Sequence, residues 1–194
     1  MSTPRIVLAS TSRYRAELLG RLLDRFEQVA PDVDERLQPD EVPAERAARL
    51  ATAKALAVSG SRRDALVIGS DQVAALEGKV LHKPGSIENA RKQLRSSSGK
   101  IMDFFTGLSV VDSRDDRRKT HLDHTRVVFR PLSDAEIERY LAREKPLDCA
   151  GSFKSEGAGI ALFERIESKD PTALVGLPLI AVARLLREAG AAIP

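Results

Sequence analysis

The chain has 194 residues, 42% of them hydrophobic, enough to bury a sizeable core, and no apolar run approaches the ~20 residues of a bilayer span. A formal net charge of +3 with only 4% aromatics suits a polyanionic small molecule and lacks the dense basic runs of a nucleic-acid binder. The single cysteine, Cys149, excludes an internal disulfide and fits a reducing cytoplasm, and the start Met1-Ser2-Thr3-Pro4 does not read as a signal peptide.

The elements alternate between strand and helix. Ile6 to Ala9 reads as a first strand, running into Ser10-Thr11-Ser12, and Ser12 is a good N-cap for a helix from Arg13 to about Leu23. A second helix is expected from Pro43 to Val58, ending before Ser59-Gly60. Leu66-Val67-Ile68-Gly69-Ser70-Asp71-Gln72-Val73 follows, an apolar run that reads as a strand covered on both faces and delivering Asp71 at its end. A turn at Glu77-Gly78 and a short return through Val80-Leu81 come next, then a helix starting at Ser86-Ile87-Glu88. Ile101 to Val111 and Thr120 to Phe129 form a long hairpin around the mixed-charge turn Arg114 to Lys119. Ser133 and Glu136 spell a capping box, with Leu132 and Ile137 as its hydrophobic staple. A glycine-punctuated loop from Gly151 to Gly159 leads to a strand near Ile160 to Ile166, and Gly176-Leu177-Pro178 begins a last helix through Leu186. No repeat, linker or low-complexity segment interrupts the pattern, so residues 1–194 read as a single domain.

Several polar residues stand where chemistry is done. Ligands of open α/β sheets gather beyond the carboxyl ends of strands, and a carboxylate such as Asp71 placed there needs a cation, a lysine or a water to offset its desolvation. Ser10, Ser12, Arg13 and Arg15 surround a strand-to-helix junction, where hydroxyls, backbone N–H groups and an arginine make a phosphate cradle. Lys54 falls on the same inward stripe as Ala47, Leu50, Ala51 and Val58; the alternative is a lysine that snorkels to the surface. Lys83 is held extended by Pro84, and Glu35 is a further acid between the first two helices. His121 and His124 fall on opposite faces of their strand and do not read as a zinc pair. The Gly151–Gly159 loop lacks the phosphate-loop spacing and the dinucleotide fingerprint, although its glycines admit backbone close to a ligand.

Together, Leu8 to Arg15, Val33-Asp34-Glu35, Gly69 to Val73, Lys83-Pro84, Thr106-Gly107, Cys149 to Gly157 and Val175 to Pro178 resemble the Maf family of nucleoside triphosphate pyrophosphatases, in order along nearly the whole chain. The resemblance implies a mixed α/β sheet with flanking helices, in two lobes around a central cleft, similar to the inosine triphosphatase architecture. It implies cleavage between the α and β phosphates of a nucleotide with a divalent cation, Mg²⁺ or Mn²⁺. Ser-Asp-Gln and Gly-Ser-Phe-Lys-Ser-Glu-Gly resemble the branch acting on 7-methyl-GTP. The branch acting on dTTP and UTP carries Thr after the catalytic Asp and Gln at the position of Glu156. By resemblance, Asp71 is the proton acceptor, and Tyr14, Gln72 and Glu156 decide the base. The chain departs at Arg13-Tyr14, where this branch commonly has proline and a larger aromatic.

The chemistry fits these residues. Attack at the α-phosphorus needs a water that a carboxylate can orient or deprotonate. Asp71 and Glu35 suit a dication shared with substrate phosphates, while Ser10, Ser12, Arg15, Lys54 and Lys83 would bind phosphate and offset charge on the leaving pyrophosphate. A 7-methylated guanine is cationic, so the Tyr14 ring and the Glu156 carboxylate both attract it. The expected partner is thus a small nucleotide, with neither nucleic acid nor membrane, in the cytoplasm; a homodimer stays open. Two alternatives remain: a broader pyrophosphatase for non-standard nucleotides, and a nucleotide-binding regulator of cell division, since the family is tied to inhibition of septum formation.

Overall fold

The computed structural model describes residues 4–193, so the start read above as carrying no signal peptide lies mostly outside the described residues. In chain order they form β1 (Arg5–Ala9), α1 (Arg13–Leu19), β2 (Glu27–Val29), α2 (Pro43–Ser59), β3 (Ala65–Leu76), β4 (Lys79–Leu81), α3 (Ile87–Ser97), β5 (Ile101–Asp112), β6 (Arg118–Phe129), α4 (Asp134–Glu144), β7 (Phe163–Glu167) and α5 (Leu179–Glu188). The strands make one mixed sheet with hydrogen-bonding order β2-β1-β3-β5-β6-β7, and β4 pairs with β3. No helix among the described residues is long and apolar enough to cross a membrane. The chain divides into two compact units. The first takes the chain up to Gln72, Thr106–Asp123 and everything from Asp170; the second takes Val73–Phe105 and His124–Lys169.

In the first unit β1 runs parallel to both neighbours, with Leu8 opposite Gln28 on β2 and Ile68 on β3. Both faces of this parallel stretch are covered, which is why its strands are continuously apolar. Ile6, Leu8, Leu66 and Ile68 pack with Leu18 and Leu19 of α1 and Val182, Leu185 and Leu186 of α5. Val7, Ala9, Ala65 and Val67 pack with Ala55 and Val58 of α2. The helix α1 stops at Leu19, short of the expected Leu23: Gly20 N still donates to the Ala16 carbonyl at 2.9 Å, but Arg21 N and Leu22 N turn to the carbonyls of Leu18 and Leu19 at 3.0 Å, which tightens the chain out of the α-helix. Leu22 and Leu23 still pack on the core from the following turns.

Two glycines bring α2 onto the sheet. A Cβ on Gly69 of β3 would lie 2.2 Å from the Ala51 carbonyl oxygen, and one on Gly107 of β5 would lie 2.2 Å from that of Ala47. The backbone of α2 rests directly on the strands there, along its small face Ala47, Ala51 and Ala55. Gly69→Ala should therefore push the helix off the sheet and cost about 1–3 kcal/mol, the scale of overpacking. Thermal unfolding checks this: a melting temperature equal to wild type would show that α2 can shift without loss.

Asp71 is not at the end of its strand, as the sequence suggested. β3 continues to Leu76, and what ends near Asp71 is the parallel pairing, whose last pair is Ala9 with Gly69. Ser70, Asp71 and Gln72 stay in the strand because β3 is also hydrogen-bonded to β5 and, at its end, to β4.

In the second unit, the end of β3 pairs antiparallel with β4, Ala74 opposite Leu81 and Leu76 opposite Lys79. Likewise β6 pairs antiparallel with β7, Val127 opposite Ile166. The α4 start carries the expected capping box: Glu136 N donates to Ser133 Oγ at 3.4 Å, and Ser133 N donates to Glu136 Oε2 at 2.8 Å. The bond from Ser133 N, with those from Ser133 Oγ and the Arg130 guanidinium, holds the Glu136 carboxyl down at about 2. Phe104, Phe129, Phe153 and Phe163 form an edge-on cluster with centroids 4.7 to 5.7 Å apart. The strand expected from Ile160 begins instead at Phe163, since Ala158–Leu162 forms a 3-10 turn that prolongs the glycine-rich loop.

Candidate active site

The crossing of α2 over Gly69 carries Lys54 inward, not to the surface; the residue is only 7% exposed. Its Nζ lies 2.6 Å from Asp71 Oδ1 and 2.7 Å from Glu35 Oε1. Asp71 is 8% exposed, so an ammonium shared by two carboxylates offsets the cost of burying its charge. Glu35 comes from the irregular stretch between β2 and α2. Two arginines of α2 grip the backbone of that stretch: Arg46 Nη2 donates to the Glu35 carbonyl at 2.8 Å and Arg49 Nη2 to the Arg36 carbonyl at 3.2 Å. Arg49 is itself held by an ion pair with Glu41.

A second cluster surrounds the start of α1. Ser12 Oγ caps the helix by accepting from Arg15 N at 3.4 Å, and Ser10 Oγ accepts from Ser12 N at 3.1 Å and Arg15 Nη1 at 3.4 Å. Arg15 Nε donates to the Gly176 carbonyl at 2.9 Å, an oxygen that also lies 2.9 Å from Ser70 Oγ. Burial lowers the Arg15 guanidinium from its ordinary value, while the charges of Asp71 and Glu35 raise it. The two clusters thus share one electrostatic neighbourhood. The Gln28 amide ties down the same turn, donating to the Ser10 carbonyl at 2.9 Å and the Ser12 carbonyl at 3.3 Å.

Of the residues expected to face the base, Tyr14 already carries a cation. The Arg13 guanidinium sits 4.8 Å from its ring centroid, and Arg13 Nη2 donates to Tyr14 Oη at 2.9 Å. Gln72 has its amide nitrogen committed to Thr106 Oγ1 at 3.1 Å and to the carbonyls of Ala173 and Leu174 at 2.9 and 3.1 Å. That leaves its carbonyl oxygen as the atom able to read a ligand. Lys83 and Glu156 belong to the second unit, where both side chains are exposed. Cys149 also lies there; burial pushes its thiol up to about 12, which keeps it protonated and unreactive at neutral pH.

Within the first unit, then, the structure assembles Ser10, Ser12 and Arg15 as one group and Glu35, Lys54 and Asp71 as another, with Gln72 next to Asp71 on β3. Sequence reasoning missed Gln28, Arg46 and Ser70, which hold these groups in place. Gln28 and Arg46 had no signal beyond being polar, whereas Ser70, inside an apolar strand, did.

The donor set bears on a metal. Among the described residues no group of three or more His, Cys, Asp or Glu side chains is placed to hold an ion. Two carboxylates facing one ammonium remain, and two carboxylates suit a hard dication that takes its other ligands from phosphate and water. The pair fits a metal carried in with a nucleotide, not an all-protein cage.

The family model described as Maf-like protein matches residues 5–189. The 7-methyl-GTP pyrophosphatase of Xanthomonas campestris pv. campestris (strain 8004) is 56% identical over 98% of this chain and 99% of its own. That of Xanthomonas axonopodis pv. citri (strain 306) is 56% identical over 98% and 100%. Among solved structures, a nucleoside-triphosphatase / dITP/XTP pyrophosphatase from Mycobacterium abscessus is similar at a TM-score of 0.45, with 12% identity over 95% of each chain. With the family model spanning β1 to α5 and relatives this close over their full length, the chain belongs to the Maf family.

Proposed function

We propose that the protein is a cytoplasmic nucleoside triphosphate pyrophosphatase that hydrolyses 7-methyl-GTP to 7-methyl-GMP and pyrophosphate. The observation that carries this reading is the buried Lys54–Asp71 pair, joined by the exposed Glu35, in a family member more than half identical to 7-methyl-GTP pyrophosphatases. Asp71 orients and deprotonates the water that attacks the α-phosphorus. Lys54, Arg15 and Lys83, with the hydroxyls of Ser10 and Ser12, bind phosphate oxygens and offset the charge that builds on the leaving pyrophosphate. A divalent cation would be held by Asp71 and Glu35 and, when bound, neutralises phosphate charge.

Base choice follows from charge. The ring of 7-methylguanine is cationic, and the Arg13 guanidinium over Tyr14 is an internal example of a cation on that ring. The Glu156 carboxylate accepts from the guanine N–H edge and adds attraction for the positive ring. Tyr14→Ala and Glu156→Gln should each lower the ratio of kcat/KM for 7-methyl-GTP over GTP by about tenfold, the worth of one ring or charge contact. Pyrophosphate release from a panel of 7-methyl-GTP, GTP, dTTP and UTP, with Mg²⁺ or Mn²⁺, tests the whole reading. Preferred use of dTTP or UTP would move the protein to the other branch of the family, and no release from any nucleotide would end the assignment.

A further inference from the structure

The second unit hangs two separate segments on one helix. Gln93 of α3 donates from Nε2 to the carbonyl of His82 at 2.9 Å, and its Oε1 accepts from Ser152 Oγ at 2.6 Å. One turn earlier, Asn89 Nδ2 donates to the carbonyl of Pro84 at 2.9 Å. Lys83 therefore sits between two peptide carbonyls, each held by a side chain of α3. Ser152 opens the loop that carries Glu156. It is fully buried and has a left-handed backbone, φ 61°, directly after Gly151 at φ 80°.

A serine in that conformation is strained, and its hydroxyl bond to Gln93 is one of the contacts that hold it there. Beyond it the loop is anchored again. Phe153 packs in the aromatic cluster, Lys154 N donates to Tyr140 Oη at 3.0 Å, and Ala158 N donates to Glu144 Oε1 at 2.8 Å. Glu156 projects from a short stretch fixed on both sides. A side-chain amide donates on one side and accepts on the other, as these two bonds require. A carboxylate would keep the serine and lose the carbonyl, and a thioether would lose both.

We infer that Gln93 is a positioning residue that joins the Lys83 segment to the Glu156 loop, so that grip on phosphate and choice of base are set by one amide. This rests on the reading of Lys83 as a phosphate contact and Glu156 as a base contact. Three variants separate the two arms. Ser152→Ala removes only the loop bond, Gln93→Glu keeps the serine bond and loses the His82 bond, and Gln93→Met loses both.

The measurements are kcat and KM for 7-methyl-GTP and GTP, melting temperature, and amide hydrogen exchange. Ser152→Ala should lower the 7-methyl-GTP to GTP ratio of kcat/KM several-fold, about the worth of one hydrogen bond, with GTP itself little changed. Gln93→Glu should lower kcat/KM for both nucleotides alike and preserve the ratio. Gln93→Met should do both. Exchange should quicken by about tenfold around residues 82–85 and 151–156 together in Gln93→Met, and around 151–156 alone in Ser152→Ala.

Wild-type kinetics and ratios in all three variants, with only a lower melting temperature, would reduce Gln93 to a structural brace and overturn the inference. So would faster exchange confined to α3. A wild-type protein with no preference for 7-methyl-GTP over GTP would defeat the function reading instead, and the exchange pattern would then decide the coupling by itself. Should Gln93→Met fail to fold, the two single-bond variants carry the same split.

Discussion

Asp71→Asn should leave the protein folded and able to bind nucleotide while lowering pyrophosphate release by roughly two to four orders of magnitude, the scale of a positioned general base. The substitution is nearly isosteric, and an asparagine oxygen can still accept from Lys54 Nζ, which lies 2.6 Å from Asp71 Oδ1. What disappears is the negative charge and with it the capacity to take a proton from water. Lys54 retains Glu35 as a counter-ion at 2.7 Å, so the ammonium is not stranded. The melting temperature should therefore move by only a few degrees. Calorimetric titration with nucleotide, run beside the turnover assay, separates lost chemistry from lost binding. Turnover within tenfold of wild type would remove Asp71 from the mechanism.

How far the sequence discloses this site depends on which signal each part leaves. The β5–β6 hairpin, the α4 capping box and the apolar half of β3 are written in local patterns, and local patterns can be read residue by residue. The short strand β2 cannot. Glu27-Gln28-Val29 has three residues and lies at the edge of the sheet, and its extended form comes from pairing with β1. Lys54 was visible as a charge on an apolar helical stripe. Its meeting with Asp71 was not, because that depends on where α2 crosses β3. Gly69 held the clue: a glycine inside an apolar strand marks a close approach of another backbone. Gln28 and Arg46 in the first unit, and Gln93 in the second, bond to main-chain carbonyls of other segments. Such partners leave no trace in spacing or periodicity, so these side chains read as ordinary polar surface until the fold is in view.

Lys54→Met should cost both activity and stability, and the two losses should come apart in a double variant. Sequence reasoning alone predicts little change in stability, because methionine preserves the packing of an inward-facing stem. The ion pairs change that expectation. Removing the ammonium leaves Asp71, only 8% exposed, without the cation that stands 2.6 Å from it, and leaves the Glu35 carboxylate facing it. An unpaired buried charge is expensive, although the partly exposed Glu35 and the Arg15 charge nearby reduce the loss, so about 1–3 kcal/mol is expected. In Lys54→Met with Asp71→Asn the second carboxylate charge is gone, and the stability cost should shrink by at least half relative to the single variant, a coupling that a double-mutant cycle measures directly. Activity should behave differently. On the proposed role of Lys54 at phosphate, its loss should lower pyrophosphate release by about two to three orders of magnitude, the scale of removing one preorganised charge or donor at a developing anion. With Asp71 already replaced, the further loss should be small, since residues acting as one group do not add. If Lys54→Met melts early yet turns over within a few-fold of wild type, Lys54 serves only to neutralise Asp71 and Glu35, and the leaving pyrophosphate must be met by Arg15 and Lys83.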